Sequence, residues 1–401
     1  MDHKTALIAL LAISLVLALF GGFVAAKLRL PPLLGYIVAG IACGPHTPGF
    51  VGDAELAHQL SEIGVILLMF GVGMHFSLRD LLAVRGVALP GALIQTGLVT
   101  LLGLALGAVW DWSIGGGLVL GLALAVASTV VLLRALEDTG GLDTIAGRIV
   151  VGWLVVEDLL TVVVLVLLPV VAGSLGGPDG AGTSPATPFA ILPLVALTLL
   201  KVGAFVAFML VIGARVLPWL LGQVERTRSR ELFTLSVIAI ALGVGFGSAE
   251  LLGLSFALGA FFAGVVVNGS DHSHRAERDT RPLQDAFAVL FFVSVGMLFD
   301  PNILIAEPLR VLAVLAVVVV AKPAIAWAIM RVLRQSSRSA RQVAAGLGQI
   351  GEFSFILLAL GVSLGVLSQE GHDVALAAAL LSIGLNPFLH RLLLRERPRA
   401  A

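Results

Sequence analysis

Residues 145–172 read IAGRIVVGWLVVEDLLTVVVLVLLPVVA, an apolar stretch that carries two adjacent acids, Glu157 and Asp158, near its centre. An α-helix needs about 20 apolar residues to cross the hydrocarbon core of a bilayer. A charged side chain at the centre of such a helix costs roughly 2.5–3.5 kcal/mol on insertion scales, so acids at this depth are rarely filler. The stretch therefore predicts a membrane-spanning helix with a functional pair of carboxyl groups.

The composition extends this prediction to the whole chain. Of the 401 residues, 58% are hydrophobic and 12% are charged, whereas a globular protein is about half apolar and one quarter charged. The net charge of zero gives no reason to expect a nucleic-acid partner. Cys43 is the only cysteine, which excludes an internal disulfide. The first apolar stretch, from Ala6 to Ala26, is too long for a signal-peptide core and is interpreted as a retained span.

Hydropathy predicts an all-α polytopic membrane protein with 13 transmembrane helices. The basic residues support this number, because 21 of the 25 fall on one side of the membrane if the N-terminus is outside. The positive-inside rule makes that side, with the C-terminus, cytoplasmic. The stretch from Gly173 to Pro188 is expected to form a flexible external loop. The predicted spans are 5–26, 32–44, 61–77, 87–109, 114–136, 145–172, 188–213, 231–248, 254–268, 285–299, 308–330, 341–366 and 373–394.

Two short motifs recur in order and predict that the two halves of the chain are structural repeats. Their spacing corresponds to seven spans, an odd number, so the halves must insert with opposite orientations, as in many secondary transporters. We expect residues 1–173 and 225–401 to form inverted repeats of six helices each, joined by 174–224. The matches are Leu34-Gly35-x-x-x-Ala39-Gly40 with Leu258-Gly259-x-x-x-Ala263-Gly264, at an offset of 224, and Val72-Gly73-Met74 with Val295-Gly296-Met297, at an offset of 223.

The repeat also points to a binding site, because broken helices in corresponding positions of two halves usually form the site at the midplane. Adding 223 to Ser128 and Thr129 leads to Gly351 and Glu352, within the glycine-rich sequence GLGQIGEF. Half-helix ends expose unpaired N–H and C=O groups that suit an ion or its counter-charge. We therefore predict two crossed, discontinuous helices. The predicted residues are Ser128 and Thr129 at the ion site, with Gln349, Gly351 and Glu352 as support for the second break.

The charges inside the spans suggest how such a site would work. Adjacent helical residues point about 100° apart, so Glu157 and Asp158 cannot serve one small ion equally. Burial raises the pKa of a carboxyl group and a nearby cation lowers it, so one acid can be tuned as a proton carrier. Lys322, midway through the eleventh span, needs a carboxylate partner, and we expect Glu157 or Asp158 to provide it. A structural role is preferred for Lys201, and no further ligand accompanies His272-x-His274.

Several function classes stay open on these residues alone. A passive cation channel would need neither the titratable acids nor the paired breaks. A sodium-coupled symporter of organic anions would need donors for the anion, and Lys322 is the only central candidate. An intramembrane aspartyl protease needs two facing Asp residues, yet Gly52-Asp53 lies in a predicted outer loop. The sequence has no GxxxxGK[ST] motif for ATP-driven pumping, and it does not distinguish K⁺ from Na⁺.

The motifs along essentially the whole chain resemble the Kef-type branch of the monovalent cation:proton antiporter-2 family, and its YbaL-like members most closely. The resemblance implies a homodimer of 13-helix subunits in a bacterial inner membrane, in which a six-helix core moves against a scaffold like an elevator. The motifs are Leu67-Leu68-Met69-Phe70-Gly71-Val72-Gly73-Met74-His75-Phe76, Ala127-Ser128-Thr129-Val130-Val131-Leu132, Val156-Glu157-Asp158-Leu159, Ser255-Phe256-Ala257-Leu258-Gly259-Ala260-Phe261-Phe262-Ala263-Gly264 and Gly348-Gln349-Ile350-Gly351-Glu352-Phe353.

The resemblance also implies roles for individual residues. Asp158 would bind the monovalent cation, K⁺ or Na⁺, and the proton alternately, and no cofactor is expected. The position of Glu157 is Gln in many Kef proteins and Asp in electrogenic sodium antiporters, where the lysine matching Lys322 pairs with it. Glu157 fits neither pattern, so the stoichiometry stays open. Kef-type chains usually continue into a cytosolic nucleotide-binding regulatory domain, whereas this sequence ends at Ala401. Either the chain is truncated or ligand gating resides elsewhere.

Overall fold

The computed structural model describes residues 3–28, 30–47, 52, 54–75, 78–129, 132, 136, 144–175 and 188–394. Within these ranges the chain consists of helices and short connections, with no strand, which confirms the all-α prediction. Some predicted features fall outside the described residues: most of the fifth span after Thr129, including Val130 and Val131, most of the loop from Gly173 to Pro188, and the single residues Asp53 and Phe76.

The helices of the described residues are numbered in chain order. A 3₁₀ turn, Ala172–Ser174, follows α6, and π-helical segments, Met209–Gly213 and Val317–Ala321, join α7 to α8 and α13 to α14. The helices are α1 (His3–Lys27), α2 (Pro32–Cys43), α3 (Ala54–His75), α4 (Leu78–Val109), α5 (Ile114–Ala125), α6 (Ile145–Val171), α7 (Pro188–Phe208), α8 (Ala214–Arg226), α9 (Arg230–Leu252), α10 (Phe256–Asn268), α11 (Ser273–Met297), α12 (Ile303–Ala306), α13 (Pro308–Ala316), α14 (Lys322–Val332), α15 (Ser337–Leu347), α16 (Glu352–Ser363) and α17 (Gln369–Leu394).

Many of these helices have the length and composition of membrane spans. Among the described residues, seven helical segments are long and apolar enough to cross a membrane, or eight if the bent pair α15 and α16 is one span. Shorter apolar helices are α2, α5 and α10. Each predicted span overlaps at least one helix, so the polytopic membrane fold is confirmed, while the total of 13 spans stays a prediction.

Several helix boundaries differ from the predicted ones, and two differences are the largest. The tenth span was expected to begin at 285, but α11 begins at Ser273. The seventh was expected to end at 213, but the helix continues through the π-helical segment and α8 to Arg226. The extension of α11 carries many polar side chains, and α8 carries Arg215, Gln223, Glu225 and Arg226 among apolar residues. Because a helix satisfies its backbone hydrogen bonds internally, it can continue past the apolar stretch, and hydropathy locates the crossing part without locating the helix end.

Packing divides the chain into two compact units, each assembled from segments that are distant in the sequence. The first unit contains Met1–Ala25, Gly35–Ser77 and Thr187–Phe299, and the second contains Ala26–Leu34, Leu78–Ala186 and Asp300–Ala401. These units are defined by contacts, whereas the predicted repeats are defined by sequence symmetry, and each unit draws on both repeats. The division into 1–173, 174–224 and 225–401 therefore stays a prediction.

In the first unit, the recurrent glycine motifs lie at two reciprocal helix crossings. Gly40 of α2 packs against the backbone of Gly296 in α11, and Gly264 of α10 packs against the backbone of Gly73 in α3. A Cβ on any of these glycines would overlap the facing backbone. By the sequence offsets, Gly40 of the first half corresponds to Gly264 of the second, and Gly73 of the first half corresponds to Gly296 of the second. In each crossing, one position of the first half therefore contacts the other position of the second half. Reciprocal contacts of this kind are expected of halves related by a pseudo-two-fold axis.

The second unit is built around a buried apolar cluster to which α4, α6, α14 and α15 contribute. Ser113 is the N-cap of helix α5, and its Oγ accepts a hydrogen bond from Gly116 N at 2.9 Å. Thr144 is the N-cap of helix α6, and its Oγ1 accepts a hydrogen bond from Gly147 N at 3.0 Å. These capped helices position the predicted site. The buried members of the cluster are Ala88, Ala92, Ala127, Leu132, Leu136, Ile149, Val150, Trp153, Leu154, Val156, Ala326, Ile329, Met330, Ala340, Val343 and Leu347.

Candidate ion-binding site

Two helix breaks face each other in the second unit. Helix α5 ends at Ala125, and residues 126–128 are non-helical. Residues 348–351 separate α15 from α16, and these two helices are bent by 44° at the break. Gly351 N donates to Val126 O at 3.2 Å. A Cβ on Gly351 would lie 2.6 Å from Ala127 O, so glycine allows this approach of two backbones. The prediction of crossed, discontinuous helices is confirmed.

Polar side chains join the two breaks and satisfy backbone groups that lost their helical partners. Gln349 Nε2 donates to Ser128 O at 3.0 Å. Ser354 Oγ donates to Ala123 O at 2.6 Å, and Ile350 N donates to the hydroxyl of Ser382 at 3.3 Å. The structure thus places Gln349 in contact with the first break, and its supporting role stays a prediction.

Glu157 faces the first break and has a hydrogen-bond donor on each carboxylate oxygen. Ala127 N donates to Oε2 at 3.1 Å, and the indole Nε1 of Trp153 donates to Oε1 at 3.1 Å. Glu157 is buried, with only 1% of its surface exposed. This acid therefore binds a backbone N–H group that the helix break leaves without a helical partner.

Asp158, the next residue, faces a different partner at the same break. Thr129 Oγ1 donates to Asp158 Oδ2 at 3.2 Å. The other oxygen, Oδ1, is buried and has no hydrogen-bond partner among the described residues. The two adjacent acids thus serve different partners, as the helical geometry predicts, and Thr129 lies beside Asp158.

Three buried side-chain oxygens around the crossing lack hydrogen-bond partners among the described residues: Asp158 Oδ1, Gln349 Oε1 and Glu352 Oε2. Glu352, at the start of α16, forms a side-chain hydrogen bond with Ser128, which adds to the contacts of Gln349 and Gly351 with the first break. An unsatisfied buried acceptor costs about 1–3 kcal/mol. Oxygens of this kind are suited to bind a proton or a hard cation, which prefers oxygen ligands.

Lys322 is fully buried and directly follows the π-helical segment Val317–Ala321. Its Nζ donates to Gln349 O at 3.0 Å, just after the C-terminus of α15, where the helix dipole favours a positive charge. Among the described residues, the contacts of Lys322 include no direct ion pair with Glu157, although the two charges interact at longer range. The structure brings Lys322 to the site, and its pairing with Glu157 stays a prediction.

The first unit contains two other charged features that the sequence singled out. Lys201 is exposed on α7, and its structural role stays a prediction. His272 Nδ1 contacts Glu225 Oε2 at 2.8 Å, and Arg275 Nη1 contacts Glu225 Oε1 at 2.8 Å. The partner of His272 in the structure is therefore a carboxylate.

Sequence reasoning misses Gln95 and Trp153, which are both fully buried beside Glu157. Gln95 Nε2 donates to Ala125 O at 2.9 Å, and its Oε1 accepts from Trp153 Nε1 at 3.1 Å. A signal exists for each residue. Gln95 is a strongly polar residue inside an apolar span, which is costly and often functional. Trp153 lies one helical turn before Glu157, and a buried indole N–H usually needs an acceptor.

A polytopic membrane fold with crossed helix breaks around buried acids is typical of secondary ion transporters. Residues 14–396 match the family described as sodium/hydrogen exchanger, transmembrane. The chain is 55% identical over 394 residues to YbaL of Escherichia coli (strain K12), a candidate cation/proton antiporter by its name, with 98% of this chain and 69% of YbaL covered. The chain therefore belongs to the sodium/hydrogen exchanger family and is one of the cation/proton antiporters in that family. It is a multi-pass membrane transporter and not an enzyme.

Other relatives support the Kef-type resemblance. K(+) efflux antiporter 4 of Arabidopsis thaliana is 31% identical over 96% of this chain and 64% of its own length. The glutathione-regulated potassium-efflux system protein KefC of Enterobacter sp. (strain 638) is 33% identical over 93% of this chain and 58% of its own length. The chain thus spans less than two thirds of these two relatives.

A solved structure shares the fold. The sodium proton antiporter MjNhaP1 from Methanocaldococcus jannaschii, solved at pH 8, matches with a TM-score of 0.71 over 99% of this chain and 100% of that chain. The sequence identity is 16%, so the match shows a common fold.

Proposed function

We propose that this protein exchanges protons for monovalent cations across a membrane and that Asp158 binds the two in turn. The observation that carries the proposal is Asp158 Oδ1, a buried carboxylate oxygen at the crossed breaks that has no hydrogen-bond partner among the described residues. A proton bound to this carboxyl group removes its negative charge and with it the attraction for a cation. Competition of the two ions for one buried acid, combined with alternating access of that acid to the two sides of the membrane, is a basis for exchange.

K⁺ is the proposed cation, with Na⁺ as the alternative. K(+) efflux antiporter 4 and KefC, two relatives over most of this chain, are named for potassium efflux. The neutral amide oxygen Oε1 of Gln349 and the carboxyl oxygen Oε2 of Glu352 are available as further ligands. Oxygen ligands of this kind suit either ion, so the choice of K⁺ rests on the relatives.

The proposal includes an electroneutral cycle of one proton for one cation. Both oxygens of Glu157 accept hydrogen bonds, whereas Oδ1 of Asp158 has no hydrogen-bond partner in the described part of the chain. Only Asp158 then changes its charge. The protein is further proposed to act as a homodimer in a bacterial inner membrane, with the N-terminus outside and elevator-type alternating access. Support for these points comes from the family resemblance and the distribution of basic residues.

Purified protein in sealed vesicles that contain a pH-sensitive dye tests the exchange. An inward gradient of K⁺ should drive protons out of the vesicles and raise the internal pH, and reversal of the gradient should reverse the change. Na⁺, Rb⁺ and Li⁺, tested in the same way, measure the selectivity. A passive channel would instead let K⁺ enter without coupled proton movement. Absence of proton flux with all four cations would contradict the proposal.

A further inference from the structure

We propose that Gln95 and Trp153 are positioning residues that hold the Glu157 carboxylate on the first helix break, so that Asp158 alone changes its charge during exchange. This inference rests on the proposed function, because it concerns the number of charges that move in that exchange. It assigns to Glu157 a fixed structural charge, and it explains how the chain keeps two adjacent buried acids in different roles.

The first argument is a continuous chain of hydrogen bonds from α4 to Glu157 on α6. Gln95 Nε2 donates to Ala125 O at 2.9 Å, the carbonyl with which α5 ends. Trp153 Nε1 lies 3.1 Å from Gln95 Oε1 and 3.1 Å from Glu157 Oε1, so its hydrogen is shared between the two acceptors. Ala127 N donates to the second carboxylate oxygen at 3.1 Å. The same carboxylate is thus tied to the helix break directly and also through Trp153 and Gln95.

The second argument concerns the chemistry of the donors. An indole N–H and a backbone N–H can donate a hydrogen bond but cannot accept one. Because one of them faces each oxygen of Glu157, both hydrogen bonds are stronger to the charged carboxylate than to a protonated carboxyl group. The arrangement therefore favours the charged form.

Asp158 has the contrasting environment. Its hydrogen-bond partner, the hydroxyl of Thr129, can rotate and either donate or accept. Its Oδ1 faces no donor among the described residues. Asp158 can therefore be protonated or charged without loss of its contact with Thr129. The negative charges that act on it come from Glu157 on α6 and Glu352 on α16.

The third argument is packing, which fixes where the indole N–H points. Gly91 lies one helical turn before Gln95 on α4, and a Cβ at this position would overlap the six-membered ring of Trp153. Trp153 itself is 0% exposed. An indole that lies against a helix backbone in a closely packed core has little freedom to turn its N–H away from Glu157.

Two substitutions remove the hydrogen bonds while they preserve most of the side-chain volume. Trp153→Phe removes the indole N–H, and Gln95→Leu removes the amide. The matched control is Thr161→Val on the same helix, because the Thr161 hydroxyl is buried and donates to the backbone carbonyl of Glu157 at 2.8 Å without touching the carboxylate. The measurement is K⁺-driven proton flux in sealed vesicles, over a range of pH and with the membrane potential clamped.

Wild-type protein and Thr161→Val should exchange without dependence on the membrane potential. In Trp153→Phe, Glu157 can bind and release a proton, so exchange should become voltage-dependent. The acidic limb of the pH profile should move to higher pH by about one unit, since one hydrogen bond to a charged group contributes that much. Gln95→Leu should act in the same direction, and Gly91→Ala, which displaces the ring, provides a third variant if either of the others fails to fold.

A double variant with Glu157→Gln tests whether Trp153→Phe acts through the Glu157 carboxylate. By itself, Glu157→Gln should leave exchange working with a shifted pH optimum, and adding Trp153→Phe should then cause no further shift. An equal shift with and without Glu157→Gln would overturn the inference, as would voltage-dependent exchange by the wild type or unchanged profiles in the folded variants. Proton–cation exchange at Asp158 would survive all three results, because it fails only if the wild type shows no cation-coupled proton flux. Voltage-dependent exchange by the wild type would contradict only the electroneutral stoichiometry.

Discussion

At the scale of single residues, the side chains of the site fall into two groups, which differ in whether all their polar atoms have hydrogen-bond partners in the described part of the chain. Glu157 accepts two hydrogen bonds from N–H groups, and Lys322 donates to the carbonyl of Gln349. Asp158, Gln349 and Glu352 each keep one buried oxygen that has no partner among the described residues. A buried polar group without a partner is unfavourable unless something binds to it. The unsatisfied oxygens are therefore where an ion should be sought.

Replacement of Asp158 by Asn tests the central residue. The amide has nearly the same shape but neither titrates nor carries charge, so proton flux driven by K⁺ should fall to the level of protein-free vesicles. Asp271→Asn makes the same change at an exposed position and should retain wild-type flux. Size-exclusion chromatography and thermal unfolding should show that both variants fold. Near-wild-type exchange by Asp158→Asn would exclude Asp158 as the shared site.

At the scale of elements, the breaks in two helices create the site. Half-helices α5 and α15 end at the crossing, and α16 begins there, so carbonyl and N–H groups that would otherwise bond within a helix are turned towards side chains. Lys322 and Gln349 bind two of these carbonyls. Glu352, in the first turn of α16, places an acid at the positive end of a helix dipole.

Gly351→Ala tests the contact between the two breaks. The added Cβ would lie 2.6 Å from Ala127 O and 2.9 Å from Ser128 N, so the backbones must separate. We expect a loss of stability on the order of 1–3 kcal/mol, as for other overpacked cores, together with loss of exchange. The free energy change is read from thermal unfolding and the exchange from vesicle flux.

Gly97→Ala is the matched control for this substitution. Gly97 lies on α4 in the same unit, and a Cβ there meets nothing within 4 Å. Because alanine has a higher helix propensity than glycine, this variant should be at least as stable as the wild type. If Gly351→Ala unfolded at the wild-type temperature with wild-type exchange, close contact of the breaks would not be required for the site.

At the scale of the whole molecule, each compact unit combines segments from both halves of the sequence. In the first unit, the pairs Gly40 with Gly296 and Gly264 with Gly73 place equivalent positions in equivalent crossings. In the second unit, the breaks near Ser128 and Gly351 are 223 residues apart and contact each other. Both observations agree with the predicted inverted repeats. Their proposed orientation in the membrane rests on the distribution of the basic residues.

Cysteine labelling tests that orientation. Cys43, the only native cysteine, is 0% exposed, so background labelling should be low. Asn302→Cys and Ser337→Cys place a thiol at exposed positions that the proposed topology assigns to opposite sides. A membrane-impermeant maleimide applied to intact cells should label Asn302→Cys and should label Ser337→Cys only after the membrane is permeabilised. The reverse pattern would mean that the N-terminus is inside.

The sequence by itself determined the features that depend on local chemistry and on symmetry. Apolar length identified the spans, the cost of buried charge singled out Glu157, Asp158 and Lys322, and the 223-residue offset located both helix breaks. Only the tertiary structure decided which atoms meet. Lys322 contacts the carbonyl of Gln349, and Gln95 reaches Trp153 across 58 positions. Such partners depend on how separate helices pack, and a hydropathy pattern records the depth of a residue without recording which neighbour it faces.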